Sequence, residues 1–465
     1  MVKLVDDVRI GPDVQEEAAT EPTLGPIRVA LAPTRIAALL RTPLYTNAFY
    51  LWVNAAGTAL GGFAFWALVA RLYDAHDVGL GSAALSTLTL LAMFSHLGLG
   101  LGLIRFLPES GAQGPRLANA VFTASAAAAV VLSAVFLAGV PLWAPRLDFL
   151  REQPLYTLAF SSFIVVSTLS AVQRYAFVAI RNAKYIVVQI AFVQLSRLAL
   201  LVVMAAFFGA FGIVASAGIA AALGAVVGFA LLARGFSGYR PGAVLDLSPL
   251  LKVFPFSVAN YVADSLLLTP GLILPLIVVG VLGATEAAYF YMAWFLGYLL
   301  TSASVQLGLS LFAEGSYDPR ALRVLSRNAV AGGLAVAIVG AAFLLLLGDK
   351  VLLVFGRDYA IEGATLLRIV ALAAVPAAVV NVYVGVLRVT RRLKELVVIA
   401  GIVAVTTVTL SSALLPVMGL TGAGVGHSVG QGLGLAIVLS RLLTTFEGTV
   451  PQRMRRLLVT LAGRS

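Results

Sequence analysis

Residues 119–140 read NAVFTASAAAAVVLSAVFLAGV and contain no charged side chain. A helix rises 1.5 Å per residue, so a segment of this length crosses the hydrocarbon core of a bilayer, which is ~30 Å thick. The segment also lacks the alternation of polar and apolar residues that marks a strand of a membrane barrel. It therefore predicts a transmembrane helix.

Eleven further apolar blocks of similar length follow the same pattern along the chain. The twelve predicted spans are residues 47–70, 79–104, 117–140, 155–180, 186–210, 213–233, 253–281, 287–312, 328–348, 364–387, 396–416 and 421–443. In lipid, only helices and closed barrels satisfy their backbone hydrogen bonds. The sequence thus predicts an all-α polytopic membrane protein with about twelve transmembrane helices.

The composition agrees and excludes several kinds of site. Charged residues make up 11% of the chain, where a soluble protein carries roughly 25%. The absence of cysteine excludes disulfides and thiol chemistry. His76, His96 and His427 are not spaced as metal ligands, and no phosphate loop is present. We expect no catalytic residue, metal or cofactor, and a transporter rather than an enzyme.

Basic residues predict the orientation in the membrane. With the N-terminus in the cytoplasm, the outside loops hold few of them: Arg71, Arg146, Arg151, Lys350 and Arg357. The inside loops hold many more: Arg105, Arg116, Arg181, Lys184, Arg234, Arg240, Lys252, Arg320, Arg323, Arg327, Arg388, Arg391, Arg392 and Lys394. By the positive-inside rule, both termini face the cytoplasm of a cell membrane. The net charge of +11 reflects these loops, not a nucleic-acid partner.

An internal repeat divides the chain. Asn119-Ala120-Val121 opens the third span and Asn328-Ala329-Val330 opens the ninth, 209 positions later; Arg181 and Arg388 close the fourth and tenth spans. The predicted organisation is a largely disordered cytosolic tail (1–40), a first six-helix lobe (41–233), a cytosolic linker (234–252), a second six-helix lobe (253–445) and a basic cytosolic tail (446–465). Parallel repeats of this kind are a transporter architecture with the substrate path between the halves.

Ionisable residues inside the spans are the first candidates for a site, because each is costly in lipid. Arg197, with Gln194 on the same face, and Asp264 lie near the middle of their spans. Either they serve the substrate or they form a buried ion pair with each other. Arg174 and Arg368 lie nearer the span ends, where snorkelling to the headgroups is the alternative.

Polar and helix-breaking residues add to this set. Asn54 and Asn260, like Gln173, Gln189, Gln306 and Asn381, have amides that bond either sugar hydroxyls or neighbouring helices. Pro270 and Pro275 should break or bend the seventh span, giving either a moving element or a static kink. An excess of arginine over carboxylate makes the path electropositive, which favours an anionic, phosphate-bearing substrate.

Several stretches resemble a known family. They are FWALVARLYDAHDVGLGSAALS (65–86), GLIRFLPESG (102–111), LVFGRDYAIEGATLLRIVALAAVPAAVVNVYVGVLR (353–388) and GLTGAGVGHSVGQ (419–431). Together, over about residues 41–445, they are similar to the oligosaccharide flippases of polysaccharide biosynthesis, in the multidrug/oligosaccharidyl-lipid/polysaccharide (MOP) exporter superfamily. The resemblance implies two lobes around a V-shaped cavity with basic lining, which Arg174 and Arg197 match by type and depth. It also implies a coupling or gating role for Asp264.

Three functions are weighed on these grounds. The first is a flippase for polyprenyl-pyrophosphate-linked oligosaccharide, with membrane lipids around it and glycosyltransferases or a glycan polymerase as partners. The second is an ion-coupled multidrug or small-metabolite exporter, which calls for a cavity rich in carboxylates and aromatics. The third, a membrane glycosyltransferase or polymerase, needs an acidic external loop that the sequence lacks.

Replacement of Arg197 with Ala is the test of the arginine hypothesis. Loss of the guanidinium should abolish transport while the protein stays folded, because the substrate loses its anion-binding group. Transport in proteoliposomes and thermal stability measure the two quantities. Unchanged transport would contradict the substrate role.

Overall fold

The computed structural model describes residues 43–447, Leu245 excepted. Side chains are described from Gly57 to Arg441, except at positions 245, 252, 255, 256, 259, 260, 317 and 319. Both predicted tails lie outside these ranges, apart from residues 446 and 447. No strand occurs in the described part of the chain.

Fourteen α-helices make up the described part of the chain. They are α1 (Pro43–Leu72), α2 (Ala75–Ser95), α3 (Leu99–Phe106), α4 (Gly114–Trp143), α5 (Pro154–Ala179), α6 (Lys184–Ala205), α7 (Ala210–Gly235), α8 (Leu250–Leu282), α9 (Ala284–Tyr317), α10 (Leu322–Leu352), α11 (Arg357–Glu362), α12 (Ala364–Val389), α13 (Leu393–Met418) and α14 (Leu420–Glu447). Short 3₁₀ turns occur at Gly111–Gln113, Pro145–Leu150 and Pro319–Ala321.

The predicted number of spans is confirmed. Eleven of the described helices are long and apolar enough to cross a membrane. The helix α1, 30 residues long, brings the number to about twelve. The split within 186–233 is also confirmed, since α6 ends at Ala205 and α7 begins at Ala210. The protein is therefore an all-α, multi-pass membrane protein.

The two halves of the chain repeat the same helix pattern. Here the first half denotes α1–α7 and the second half α8–α14. Pro154–Ala179 and Ala364–Val389 begin and end 210 positions apart (364 − 154 and 389 − 179). In the first half, α7 packs on α5 and α6; in the second, α14 packs on α12 and α13. This places six membrane-crossing units in each half.

The turns after α5 and α12 share one backbone geometry. Arg181 and Arg391 both have positive φ, at 56° and 55°, which is uncommon for residues other than glycine. The next N–H donates back to the helix in each case, from Asn182 to Phe177 and from Arg392 to Leu387, both at 2.9 Å. These are Schellman caps. Arg181 therefore corresponds to Arg391, and not to Arg388 as the sequence spacing suggested.

The end of the bundle that carries these two turns is called the inner end, and the opposite end is the outer end. The inner end is the one predicted to face the cytosol. Each of the long helices runs between the two ends.

The second predicted span, 79–104, is not one helix. It divides into α2 and α3 at His96–Gly98, where Leu97 and Gly98 have φ of 50° and 70°. The hydroxyl of Tyr261 on α8 donates to the carbonyls of Met93 (3.3 Å) and Phe94 (3.0 Å) at the end of α2. Carbonyls at a helix end have no partner within the helix. The break in the first half is therefore capped from the second half.

The seventh predicted span, in contrast to the second, is one uninterrupted helix. Pro270 and Pro275 lie within α8, which runs without interruption from Leu250 to Leu282. Of the predicted break or bend at these prolines, the break does not occur, and the bend stays a prediction. The irregular segment of the bundle is the break after α2, at residues 96–98, which the sequence analysis treated as helix.

The halves touch near both ends of the bundle. At the outer end, a Cβ atom on Gly79 would lie 1.7 Å from the carbonyl oxygen of Ala284. Toward the inner end, a Cβ on Gly102 would lie 2.0 Å from Cγ1 of Val253. Glycine at these two positions lets α2 and α3 approach α9 and α8 closely.

The segment between the halves is fastened to α4. Arg116 pairs with Asp246 at 2.5 Å, and Asn119 Nδ2 donates to the carbonyl of Arg240 at 2.8 Å. The pKa of Asp246 is held below its usual value, first by hydrogen bonds from Ser248 and then by Arg116. The described residues on either side of Leu245 are thus held against α4 at the inner end.

Gly79→Ala should destabilise the protein because the added methyl meets backbone and not a movable side chain. Overpacking of this kind costs about 1–3 kcal/mol. Gly280→Ala is the matched control: a Cβ there meets nothing within 4 Å, so the helix should gain about 0.5–1 kcal/mol. Thermal unfolding in detergent measures both, and equal shifts for the two variants would contradict the close approach.

Candidate substrate cavity

A cavity of about 520 Å³ lies between the halves, within the range of small-molecule sites. Helices α8, α9, α12, α13 and α14 of the second half form most of its wall. Residues of α2, α3 and α5, with the break between α2 and α3, close it from the first half. The cavity thus borders the contact between the two repeats.

An ion pair between Asp264 and Arg388 lies on the cavity wall. Asp264 belongs to α8 and Arg388 to the last turn of α12, and the side chains are 39% and 14% exposed. Nε of Arg388 is buried and finds no hydrogen-bond partner among the described residues. Arg388 is therefore not a loop residue, as the orientation analysis assumed, but a charge inside the bundle.

The alternative interpretation, an ion pair between Arg197 and Asp264, does not occur. Arg197 lies 8 residues from the outer end of α6 (205 − 197), whereas Asp264 lies 18 residues from the outer end of α8 (282 − 264). Asp264 pairs with Arg388, whereas Arg197 donates to the carbonyl of Gly61. The sequence located both residues at mid-span but did not fix their relative depth.

Three aromatic rings gather beside the ion pair. The ring of His96 lies 5.5 Å from that of Tyr261 and 6.0 Å from that of Tyr175. All three residues line the cavity, and the charges of Asp264 and Arg388 act on Tyr175. We call His96, Tyr175, Tyr261, Asp264 and Arg388 the seam cluster, because the first two come from the first half and the others from the second.

Arg174 adjoins the seam cluster. It precedes Tyr175 on α5, its charge acts on His96, and its Nη1 donates to the carbonyl of Ser170 at 3.2 Å. Ser170 lies one turn farther from the inner end, so the guanidinium points toward the middle of the membrane. This geometry does not fit snorkelling to the nearer headgroups.

Arg197 and Gln194 lie at the contact between α6 and α1. Arg197 donates to the carbonyl of Gly61 at 3.3 Å, and its guanidinium lies 4.0 Å from the centre of the Phe65 ring. Gln194 donates to the carbonyl of Thr58 at 3.3 Å. These contacts join α6 to α1 away from the cavity, so the substrate role of both residues stays a prediction without support from this geometry.

Arg368 lies on the far side of α12. The helix lines the cavity through one face: Val370, Ala377, Val380, Asn381, Val384, Gly385 and Arg388. Arg368 comes two residues before Val370, which turns it about 200° away. Leu372, one turn after Arg368, is 54% exposed, as expected of a lipid-facing position. The cavity therefore contains no guanidinium from Arg368.

The remaining predicted residues line the cavity, lie outside the described side chains, or bond neighbouring helices. Asp264 and Pro270 line the cavity, although their coupling or gating role stays a prediction. The side chains of Asn54 and Asn260 lie outside the described residues. Gln189 donates to Gln173 at 2.5 Å, and Gln173 donates to the carbonyl of Ala225 at 2.9 Å. These two glutamines thus bond neighbouring helices, as the alternative interpretation held.

The sequence analysis missed several polar residues of the wall. Trp294 and Tyr298 line the cavity from α9, and His427 and Gln431 line it from α14. Each pair is four residues apart, so its members share one face of their helix. Aromatic and polar residues at this spacing inside an apolar span were the available signal.

The fold is shared with solved transporters. The lipid II flippase MurJ in an inward closed conformation aligns with a TM-score of 0.67 at 11% identity, over 90% of this chain and 93% of that chain. An inward-facing MATE multidrug transporter of the MOP superfamily aligns at 0.63 and 13%, over 85% and 96%. A MOP superfamily transporter from Pyrococcus furiosus, described as having a binding pocket of reverse polarity, aligns at 0.56 and 12%, over 87% and 96%.

Sequence comparison gives the family. A search of curated proteins finds no match. The model of the family described as polysaccharide biosynthesis protein matches residues 44–293, which is more than half of the chain. Since these residues comprise the whole first half and the start of the second, the chain belongs to the polysaccharide biosynthesis protein family and has the fold of MOP superfamily transporters.

Proposed function

We propose that this membrane transporter moves a polyprenyl-pyrophosphate-linked oligosaccharide from the inner to the outer leaflet by alternating access. The observation that carries the proposal is the surplus of positive charge at the seam between the halves. Arg388 lies on the cavity wall against one carboxylate, Asp264. Arg174 does not line the cavity, but it directly precedes Tyr175, which does. A charge held in a membrane protein interior marks a substrate or ion path.

The chemistry of Arg388 suits a pyrophosphate. Guanidinium groups bind phosphate oxygens through paired, charge-assisted hydrogen bonds. Arg388 already gives Nη2 to Asp264, but its Nε has no acceptor among the described residues. A phosphate oxygen at this point would satisfy a donor that the protein leaves free.

The position of the seam cluster between the two halves also suits alternating access. The substrate would contact His96 and Tyr175 of one half and Asp264 and Arg388 of the other, so it is held by both repeats at once. Alternating access requires the halves to separate at one end and then at the other. The polyprenyl chain would stay in lipid while its headgroup crosses. Glycosyltransferases would build the substrate on the inner side, and a polymerase would consume it outside.

Asp264 has a defined role in the proposed mechanism. A pyrophosphate that enters the cavity competes with the Asp264 carboxylate for Arg388. The ion pair therefore keeps a cation available without leaving it unpaired in the empty protein. The Asp264→Asn variant described below also tests the predicted role of Asp264 as a coupling carboxylate.

The exporter alternative is favoured by one observation. Tyr175, Tyr261, Trp294 and Tyr298 give the cavity the aromatic wall that cationic drugs bind. The carboxylate that such a drug also needs is engaged with Arg388, however. The two functions thus differ in which member of the ion pair the substrate uses.

Substitution of the two members of the pair decides between these functions. Arg388→Gln should weaken binding of a pyrophosphate-linked glycolipid about ten- to hundredfold, because one charge-assisted contact is lost. Asp264→Asn, which frees Arg388, should retain that binding. Arg368→Gln is the matched arginine control and should behave as the unmodified protein. Binding to protein in nanodiscs and flipping in proteoliposomes are the measurements.

The double variant Arg388→Gln/Asp264→Asn separates loss of binding from loss of fold. It leaves no unpaired carboxylate, so it should be as stable as the unmodified protein and still bind poorly. If Asp264→Asn abolishes transport and Arg388→Gln does not, the substrate is a cation and the flippase proposal fails.

A further inference from the structure

The outer part of the cavity differs in chemistry from the seam cluster. Trp294, Thr407, His427 and Gln431 line it from α9, α13 and α14 of the second half. Trp294 lies 10 residues from the outer end of α9 (294 − 284), against 18 for Asp264 on α8. This difference corresponds to ~12 Å along the membrane normal. We call these four residues the second-half chamber.

The aromatic side chains of the chamber contact each other in a defined geometry. The rings of Trp294 and His427 meet edge to face, with centroids 4.8 Å apart and planes at 65°. Gly271 on α8 faces the indole: a Cβ there would lie in van der Waals contact with its Nε1, at 3.5 Å. Tyr298, one turn along α9, is 53% exposed and lines the same cavity. Aromatic faces and edges are thus presented to the cavity at two successive turns.

Two polar atoms of the chamber are left without partners. Thr407 Oγ1 and His427 Nδ1 are fully buried and make no hydrogen bond among the described residues. Thr407 is itself 0% exposed. A buried polar atom without a partner is unfavourable, and in native proteins it marks a place where a ligand or an ordered water supplies the bond.

The chamber contains no formal charge. Among the described residues that line the cavity, Asp264 and Arg388 are the only aspartate, glutamate, lysine or arginine, and they pair with each other at the seam. A phosphate or a cationic drug would find no counter-charge in the chamber. A neutral molecule with many hydroxyl groups would find both donors and acceptors, together with aromatic rings for its C–H faces.

We propose that the second-half chamber binds an uncharged sugar ring of the transported glycan. This rests on the proposed function, with the pyrophosphate at the seam cluster and the sugar in the chamber. Thr407 and His427 bond the hydroxyls, and Trp294 and Tyr298 contact the apolar faces of the ring. The chamber selects against acidic sugars, because a carboxylate there loses its hydration and gains no cation.

Tryptophan fluorescence of the full-length protein in nanodiscs tests the proposal. The probes are the methyl glycosides of glucose, galactose and N-acetylglucosamine, with glucuronate as the acidic control. We expect a saturable change with at least one neutral glycoside and none with glucuronate. Trp294→Phe should remove the response, and Trp143→Phe should keep it, since Trp143 lies at the end of α4 away from the cavity.

Two further variants serve if Trp294→Phe proves unstable. His427→Ala and Thr407→Val each remove one hydrogen-bonding group, and each should weaken the neutral glycoside about tenfold. The proposal is overturned if these variants bind as the unmodified protein does. It is also overturned if glucuronate binds equally well, or if no neutral glycoside gives a response at its solubility limit.

A parallel flipping assay with a pyrophosphate-linked glycolipid distinguishes this failure from failure of the proposed function. Flipping by the unmodified protein without glycoside binding would overturn only the chamber. Glycoside binding that depends on Trp294, without any flipping, would overturn only the flippase.

Discussion

No water reaches the hydrocarbon core of a bilayer, so each backbone N–H and C=O there must find its partner within the protein. Long unbroken helices meet this requirement locally, and almost all of the described chain follows that solution. The break at His96–Gly98 is the departure that matters, because the regular hydrogen bonds of α2 end there at carbonyls such as that of Phe94, which accepts from the Leu97 N–H at 3.2 Å. The Tyr261 hydroxyl from the other half bonds two of them. A local irregularity in one repeat thus depends on contact with the other, and it lies on the cavity wall.

The hydrocarbon core of the bilayer also limits where charged side chains can lie. Asp264 and Arg388 are separated by 124 residues and meet across two helices of the second half. Either one alone would be costly at this depth, whereas the pair is tolerated and keeps an arginine beside the cavity. Arg174 turns toward the membrane middle in the first half, near His96. The seam between the repeats consequently holds the charge, and the chamber deeper in the second half holds neutral polar groups.

The halves repeat each other in helix bounds and in the caps at Arg181 and Arg391, yet the cavity is not symmetric. At the same 210-residue offset, Val384 and Thr407 of the cavity wall correspond to Arg174 and Arg197 of the first half. Equivalent positions therefore carry arginine in the first half and uncharged residues on the cavity wall in the second. This asymmetry allows the two parts of a composite substrate to bind at different places.

The sequence alone determined the spans, their number, the repeat and the family resemblance, because hydropathy over twenty residues and basic loops are properties of local sequence. It also identified Asp264 and Arg174 as charges inside the membrane. The partner of Asp264, the direction of Arg174, the outward face of Arg368 and the gathering of Trp294, Thr407 and His427 were decided by tertiary structure. Each depends on the depth and rotation of one helix against another, and a shift of two residues turns a side chain from the cavity to the lipid.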